Sequence, residues 1–295
     1  MAQTQDEFRF LPGDARFWGL EGPLPEVARV QAQGSGGARL SAIRYGSEPP
    51  QLSFLHGAGL NAHSFDATIL ALGRPALSLD LPGHGHSDWR EDADYAPDAI
   101  APAVAEALAA LTPGRQLLVG QSLGALTAAV VAGAHPELAR ALVMIDITPG
   151  IRPQRDASAV RDFLAGPRDF ADVEEVVDRA IAFGIGTDRS LLRRGVELNT
   201  RVRPDGRIEF RHHLAHLDEP VGLTAERVQP IWAALEGFEG PILLVAASAG
   251  ILGPELVQEF GRRLPQARIV TIEALHNVQE GAPLELARAI AALDG

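Results

Sequence analysis

The sequence predicts an α/β protein in which helices cover a mostly parallel sheet, and three observations lead to this prediction. Short apolar runs of strand length alternate with alanine- and leucine-rich stretches of helical length. Several of the short runs lead into glycine-containing segments, which are typical of the loops that follow buried strands. A hydrophobic content of 46% over 295 residues is sufficient to bury a large core.

The predicted elements alternate regularly in both terminal parts of the chain. The predicted strands are residues 27–33, 39–45, 51–55, 76–80, 116–119, 141–145, 242–246 and 267–272. The predicted helices are residues 99–111, 123–134, 254–264 and 283–293.

The pattern changes between residues 150 and 238, where helical periodicity and charge replace buried strands. Helices are predicted at 169–183 and 190–199, and a tight turn at 203–207. We therefore expect a core domain of residues 1–149 and 239–295, with a helical cap of residues 150–238 inserted after the sixth strand. The cap should cover the carboxyl edge of the sheet, where open α/β sheets bind their ligands.

The composition excludes several classes of function. The net charge is −12, all 26 cationic residues are Arg, and the chain has no Cys. An acidic chain without a long basic run is a poor candidate for binding nucleic acid or an anionic membrane. The missing Lys and Cys exclude Schiff-base lysine chemistry, disulfides, thiolate zinc sites and a cysteine nucleophile. Residues 1–14 lack the pattern of a signal peptide, so we expect a cytoplasmic protein.

The strongest motif is Gly120-Gln121-Ser122-Leu123-Gly124, which lies between a predicted strand and a predicted helix. A Gly-x-Ser-x-Gly turn in this context exposes the serine oxygen at the top of the sheet. Glycines two before and two after the serine leave room for neighbouring backbone. Ser122 is therefore the predicted nucleophile, although Gly and Ser are also common in loops that only end a strand.

A serine hydroxyl needs a base to take its proton. His276 lies between the last predicted strand and the last helix, which suits a general base; the alternative is a histidine that only caps the helix. No carboxylate follows residue 246 before Glu255. Asp146, at the end of the preceding strand, is the preferred acid because it could reach the same imidazole. Glu255 in its place, or a site that works without an acid, remain alternatives.

An oxyanion hole requires backbone donors near the serine. The segment His56-Gly57-Ala58-Gly59 follows the third predicted strand, and we assign the N–H groups of Ala58 and Leu123 to this role. Further predicted substrate-binding residues come from this loop, the serine turn and the apolar positions of the cap: His56, Gly57, Gln121, Phe163, Phe183 and Trp232. Each aromatic residue alone is also compatible with the core of the cap.

Two other patterns carry less weight. His84-Gly85-His86-Ser87-Asp88 is similar to the start of a dinuclear metal site, but Trp89 stands where another His is needed. A basic stretch within residues 201–216 is interleaved with acidic residues, which favours a solvated face over an anion site. We therefore predict neither a metal nor a cofactor.

Together these segments resemble the α/β-hydrolase fold family, in its branch with a single cap and a serine nucleophile. The resemblance rests on residues 55–59, 80–88, 120–124, 146–149 and 276–279, in the family's order. It implies Ser122 as nucleophile, His276 as base and a mobile lid over about residues 150–238. The missing acid after residue 246 departs from the commonest pattern, and members with the acid one strand earlier make Asp146 its counterpart.

Three functions remain open at this stage. The first is a serine hydrolase that cleaves an ester, lactone or thioester through an acyl-enzyme on Ser122. The second uses the same residues to hydrolyse a carbon–carbon or amide bond. The third is a non-catalytic ligand-binding protein of the same fold. The expected partner is a small molecule with an apolar part, bound by a monomer or homodimer without nucleic acid or membrane.

Overall fold

The computed structural model describes residues 6–34, 37–152, 162–218 and 224–293. Residues 153–161 and 219–223 of the predicted cap lie outside the described residues. The main sheet contains the strands β1 Val27–Gln33, β2 Arg39–Tyr45, β3 Leu52–Leu55, β4 Ala76–Leu79, β5 Gln116–Gln121, β6 Ala139–Ile145, β9 Ile242–Ala249 and β10 Arg268–Leu275. The described helices are α1 Leu11–Phe17, α2 Asp66–Leu72, α3 Pro97–Leu111, α4 Leu123–Ala134, α5 Val173–Ala182, α6 Arg189–Asn199, α7 Ala225–Glu236, α8 Pro254–Arg263, α9 Val278–Gly281 and α10 Pro283–Ala291.

The eight strands form one sheet in the order β1-β2-β4-β3-β5-β6-β9-β10. Strands β4, β3, β5, β6, β9 and β10 are parallel, whereas β2 pairs antiparallel with both β1 and β4. The parallel strands β3, β4 and β5 are buried along their whole length, because helices cover both faces of the sheet. The predicted fold class is confirmed.

Each face of the sheet packs against its own hydrophobic core. On one face, residues of α3, α4, α7 and α8 join the inward-pointing side chains of the strands. On the other face, the strands pack against α2, α9 and α10. The carboxyl ends of β3, β5, β6 and β10 therefore meet at one edge, and the loops after these strands carry the predicted site residues.

The chain leaves the sheet after β6 and returns at β9, and we call the described residues between them the insert. Its first part has its own small apolar core, made by α5, α6 and a two-stranded antiparallel ribbon of β7 Thr200–Val202 and β8 Ile208–Phe210. The predicted turn at 203–207 connects the two ribbon strands. The last part, α7, instead packs against α4 and the main core.

The N-terminal helix α1 was not predicted from the sequence. It follows a 3₁₀ turn, Glu7–Phe10, and buries Leu11, Asp14 and Ala15. Pro12 in its first turn and Asp14 are ordinary marks of a helix start. None of the helices in the described ranges is long and apolar enough to cross a bilayer.

Candidate active site

Ser122 lies in the sharp turn between β5 and α4, at the carboxyl edge of the sheet. Its backbone has φ +51° and ψ −119°, a left-handed conformation that non-glycine residues rarely adopt. A side chain at Gly124 would overlap the carbonyl groups of Leu55 and His56, so glycine is required where α4 begins so close to β3. The turn therefore has the strained geometry that the motif predicts.

His276 and Asp146 are brought together from loops 130 residues apart. The Nδ1 atom of His276 lies 2.8 Å from Oδ2 of Asp146. Because a carboxylate only accepts hydrogen bonds, Nδ1 carries the proton and the lone pair of a neutral imidazole is on Nε2. This is the tautomer that a general base for a serine hydroxyl requires.

The Asp146 carboxylate is fully buried and is held by backbone donors of the neighbouring loop. Oδ1 accepts a hydrogen bond from the N–H of Ala247 at 3.0 Å, and Oδ2 accepts one from the N–H of Ile251 at 2.8 Å. A Cβ at Gly250 would overlap this carboxylate, so glycine is needed there for the Asp146 side chain to fit. The loop after β9 therefore accommodates an acid from β6 and contains no acid of its own before Glu255.

Glu255, the alternative acid, lies elsewhere. Its side chain is 54% exposed and is 4.0 Å from Arg152. No contact between Glu255 and His276 is found within the described part of the chain. The geometry therefore favours Asp146 over Glu255 as the partner of the imidazole.

The loop that carries Ala58 is held by side chains from three parts of the molecule. His56 Nδ1 donates to the Gly57 carbonyl at 2.7 Å, and the N–H of Gly59 donates to His84 Nε2 at 3.1 Å. The amide of Asn199, at the end of α6, donates to the Gly59 carbonyl. The N–H groups of Ala58 and Leu123 donate to no backbone carbonyl among the described residues, as oxyanion-hole donors should.

Burial keeps His56 and His84, the two histidines that contact this loop, neutral. His56 also accepts a hydrogen bond from Leu81 N–H, and His84 donates to the Pro82 carbonyl, so both ring nitrogens of each are used by the backbone. Burial lowers the pKa of His56 to about 4, and burial together with the neighbouring His56 lowers the pKa of His84 to about 3. Both histidines hold the loop in place, and His56, which was predicted to bind substrate, does not line the cavity described next.

A cavity of about 550 Å³ lies beside the candidate site, between the insert, α1 and the core. Gly59 follows Ala58, and Leu275 and Asn277 flank His276, so the cavity borders both loops of the site. Its apolar wall comes from the core, the insert and the N-terminal helix: Phe17, Trp18, Ala67, Phe163, Ile185, Leu191, Leu192, Phe210 and Leu275. The volume is in the usual range for a small-molecule site.

The polar end of the cavity belongs to a buried ion network. Arg194 of α6 pairs with Asp14 of α1 and with Asp66, and His63 pairs with Asp66 and Glu7. Burial alone would lower the pKa of His63, but the adjacent carboxylates raise it to about 9. Glu280 also lines the cavity, and burial raises its pKa above the ordinary value. The two cations of the network, Arg194 and His63, are each paired with carboxylates.

The structure separates the remaining predicted substrate-binding residues. Phe163 lines the cavity, whereas Phe183 does not and packs against the Phe163 ring with centroids 6.1 Å apart. Trp232, predicted to bind substrate, is 1% exposed in the main core against Phe260, because α7 packs on α4, and it does not line this cavity. Gly57 and Gln121 lie at the Ser122 loop outside the cavity lining.

Several residues at the site had no distinctive sequence pattern. Asn199, Arg194 and the wall from α1 come from segments whose contacts with the core are not encoded by local spacing. The helix-start residues Pro12 and Asp14 were the one available indication of α1.

Within the described ranges, no group of three or more His, Cys, Asp or Glu side chains could hold a metal ion.

Comparison with known proteins agrees with the topology of the fold. A family model for the alpha/beta hydrolase fold matches residues 50–283. The chain is 38% identical over 290 residues to the esterase Rv0045c of Mycobacterium tuberculosis, which covers 95% of this chain and 93% of that protein. A crystal structure of that esterase superposes with a TM-score of 0.85 at 36% identity, covering 100% of both chains. Pimeloyl-[acyl-carrier protein] methyl ester esterase of Aeromonas salmonicida is 29% identical over 266 residues, 84% of this chain and 91% of that protein. The chain belongs to the α/β-hydrolase fold family.

Proposed function

We propose that the protein is a serine hydrolase that cleaves esters through an acyl-enzyme on Ser122. Its relatives include two proteins named as esterases, which supports the class of bond. The observation that carries the proposal is the 2.8 Å hydrogen bond between His276 and Asp146 beside the strained Ser122 turn. This bond fixes the imidazole tautomer that a serine nucleophile needs.

In the proposed reaction, Ser122 Oγ attacks the ester carbonyl while His276 Nε2 takes its proton. The N–H groups of Ala58 and Leu123 stabilise the oxyanion of the tetrahedral intermediate. The imidazolium then gives the proton to the leaving alcohol, which departs and leaves an acyl group on Ser122. Water attacks this acyl group while His276 takes its proton; the imidazolium returns that proton to Ser122 Oγ as the ester bond to the enzyme breaks, and the acid product is released.

The cavity supports a neutral substrate with an apolar group. Its wall is mostly apolar, and its cations Arg194 and His63 already have carboxylate partners. Burial raises the pKa of Glu280 above its ordinary value, so this carboxyl carries its negative charge less readily than it would in water. A substrate with a free carboxylate would therefore find no unpaired cation among the described residues of this wall, whereas an alkyl or aryl group would replace water from apolar surface.

We further propose that residues 150–238 divide between the two parts of the protein. The part with α5, α6 and the ribbon would act as the cap over residues 1–149 and 239–295, because it forms one side of the cavity. Helix α7 would move with the core, since it packs against α4. The cytoplasm is the proposed place of action.

A series of p-nitrophenyl esters tests the proposed function. We expect hydrolysis of neutral acyl groups from acetate to octanoate, with the higher kcat/KM for the longer chains that fill the cavity. A hemisuccinate ester should be a poorer substrate than a neutral ester of similar length. The Ser122→Ala variant should abolish turnover of all of them; activity that survives in this variant would overturn the role of Ser122.

A further inference from the structure

Gln121, the last residue of β5, contacts the imidazole that the proposed mechanism uses as its base. Its Nε2 atom lies 3.1 Å from His276 Nε2, 3.3 Å from the His276 carbonyl oxygen and 3.5 Å from Asn277 Oδ1. A backbone carbonyl only accepts hydrogen bonds, so the amino end of the carboxamide faces His276. The orientation of the side chain is therefore set by its surroundings.

The hydrogen bond from Gln121 uses the atom that should accept the serine proton. Nδ1 of His276 keeps its proton and donates a hydrogen bond to Asp146, which leaves the Nε2 lone pair as the only acceptor of the ring. Gln121 donates to that lone pair at 3.1 Å. Among the described residues, no hydrogen bond joins Ser122 Oγ to His276 Nε2. In this arrangement the glutamine amide and the serine hydroxyl compete for one acceptor.

The other end of the same carboxamide is poorly satisfied. Gln121 is 1% exposed, and its Oε1 atom is buried without a partner among the described residues. This oxygen lies where a Cβ at Gly57 would be, directly below the loop that carries Ala58. A buried acceptor without a donor is unfavourable. The hydrogen bonds of the Nε2 end therefore hold the side chain in this position, while the Oε1 end contributes no stabilisation.

We propose that Gln121 is a positioning residue that holds His276 Nε2 in the free protein and passes it to Ser122 when an ester occupies the site. This role rests on the proposed function. Before Ser122 attacks the ester, one hydrogen bond at Nε2 is therefore exchanged for another. This exchange itself changes no covalent bond. The exchange limits the reactivity of Ser122 toward molecules that do not fill the site.

The rate of covalent labelling by a small fluorophosphonate measures this exchange. Gln121→Met has nearly the same shape but no hydrogen-bond donor, so labelling of Ser122 should become about fivefold faster, the effect of removing one neutral hydrogen bond of ordinary strength. Gln121→Leu provides a second variant if the first does not fold. The matched control is Gln116→Met, a buried glutamine at the other end of β5 that bonds to the Pro50 and Gly114 carbonyls. Its folded form should label at the wild-type rate.

A spectroscopic measurement separates this role from a structural one. In protein labelled with ¹⁵N-histidine, the Nε2 resonance of His276 should move in Gln121→Met, while its Nδ1 resonance stays in place. Labelling that is unchanged or slower in both Gln121 variants would overturn the role of Gln121 and leave the proposed function standing. Absence of labelling in the wild type and every variant would overturn both.

Discussion

Asp80 and Asp146 are two buried carboxylates that occupy equivalent positions at the ends of two different strands. Each follows directly after a parallel strand, β4 or β6, and each accepts hydrogen bonds from two backbone N–H groups. Their third partners differ: Arg29 lies 2.7 Å from Asp80, and His276 lies 2.8 Å from Asp146. An arginine keeps its protons under all ordinary conditions, whereas an imidazole can accept a proton and release it again during a reaction. The partner, more than the strand end, therefore distinguishes a structural carboxylate from one suited to catalysis.

The largest effect is expected on turnover when Asp146 is changed. Asp146→Asn removes the acceptor that fixes the His276 tautomer, so ester turnover should fall by roughly 10⁴-fold, as loss of the orienting carboxylate does in triads. Folding should persist because an amide keeps the shape of the side chain. Steady-state kinetics with a p-nitrophenyl ester, together with circular dichroism, measures both. A variant with more than a tenth of wild-type turnover would contradict the assignment of Asp146.

The same substitution at the other strand end should act on stability instead. Burial raises the pKa of Asp80, but the charge of Arg29 and the backbone donors lower it below the ordinary value, so the buried pair is ionic. Asp80→Asn leaves Arg29 with Glu7 alone and should lower the free energy of unfolding by about 3–5 kcal/mol. Urea denaturation measures this loss. If Asp80→Asn instead lowers turnover as strongly as Asp146→Asn at unchanged stability, the distinction between the two carboxylates fails.

The buried histidines should make the free energy of unfolding depend on pH in two opposite ways, according to their neighbours. The folded-state pKa of His63 is raised to about 9, so its contribution is complete below about pH 6.5 and is lost as the pH rises through 9. That contribution is on the order of 3 kcal/mol. His56 and His84 have depressed folded-state pKa values of about 4 and 3, so stability falls as the pH drops from 6.5 toward those values.

Unfolding by urea across pH 4 to 10 checks this division. His63→Gln should flatten the alkaline limb of the stability curve and leave the acid limb in place. His84→Gln should flatten part of the acid limb. An alkaline limb that is equally steep in His63→Gln would show that the network around Asp66 does not depend on the charge of His63.

The smallest effect is expected at Glu255. Its side chain is half exposed and remote from the imidazole, so Glu255→Gln should change turnover by less than about twofold and unfolding by less than about 0.5 kcal/mol. The same ester assay and denaturation series apply. A loss comparable with that of Asp146→Asn would show that the acid had been assigned to the wrong strand.

The sequence predicts the core well because its signals are local. The central strands are short apolar runs, and the Gly-x-Ser-x-Gly turn lies between β5 and α4 as expected. Asp146 and His276 were paired because the carboxyl ends of parallel strands meet at one edge. The roles of these residues in catalysis remain predictions.

The parts that the sequence does not predict depend on packing between distant segments. Trp232 looks like any apolar residue of an amphipathic helix, and only the packing of α7 on α4 assigns it to the core. The ion network joins Asp14, Asp66 and Arg194 from three segments with no common spacing. The bond from Gln121 to His276 likewise spans 155 residues and depends on the rotamer of one buried side chain.

Intact-mass analysis after treatment with a fluorophosphonate tests the central claim most directly. The wild type should gain the mass of one adduct, mapped to Ser122 by peptide sequencing. Ser122→Ala should gain none, and His276→Ala should gain it far more slowly. An adduct on a different residue, or a well-folded wild type that gains no mass at any concentration of the reagent, would contradict an activated serine at this site and would favour a protein that binds its ligand without cleaving it.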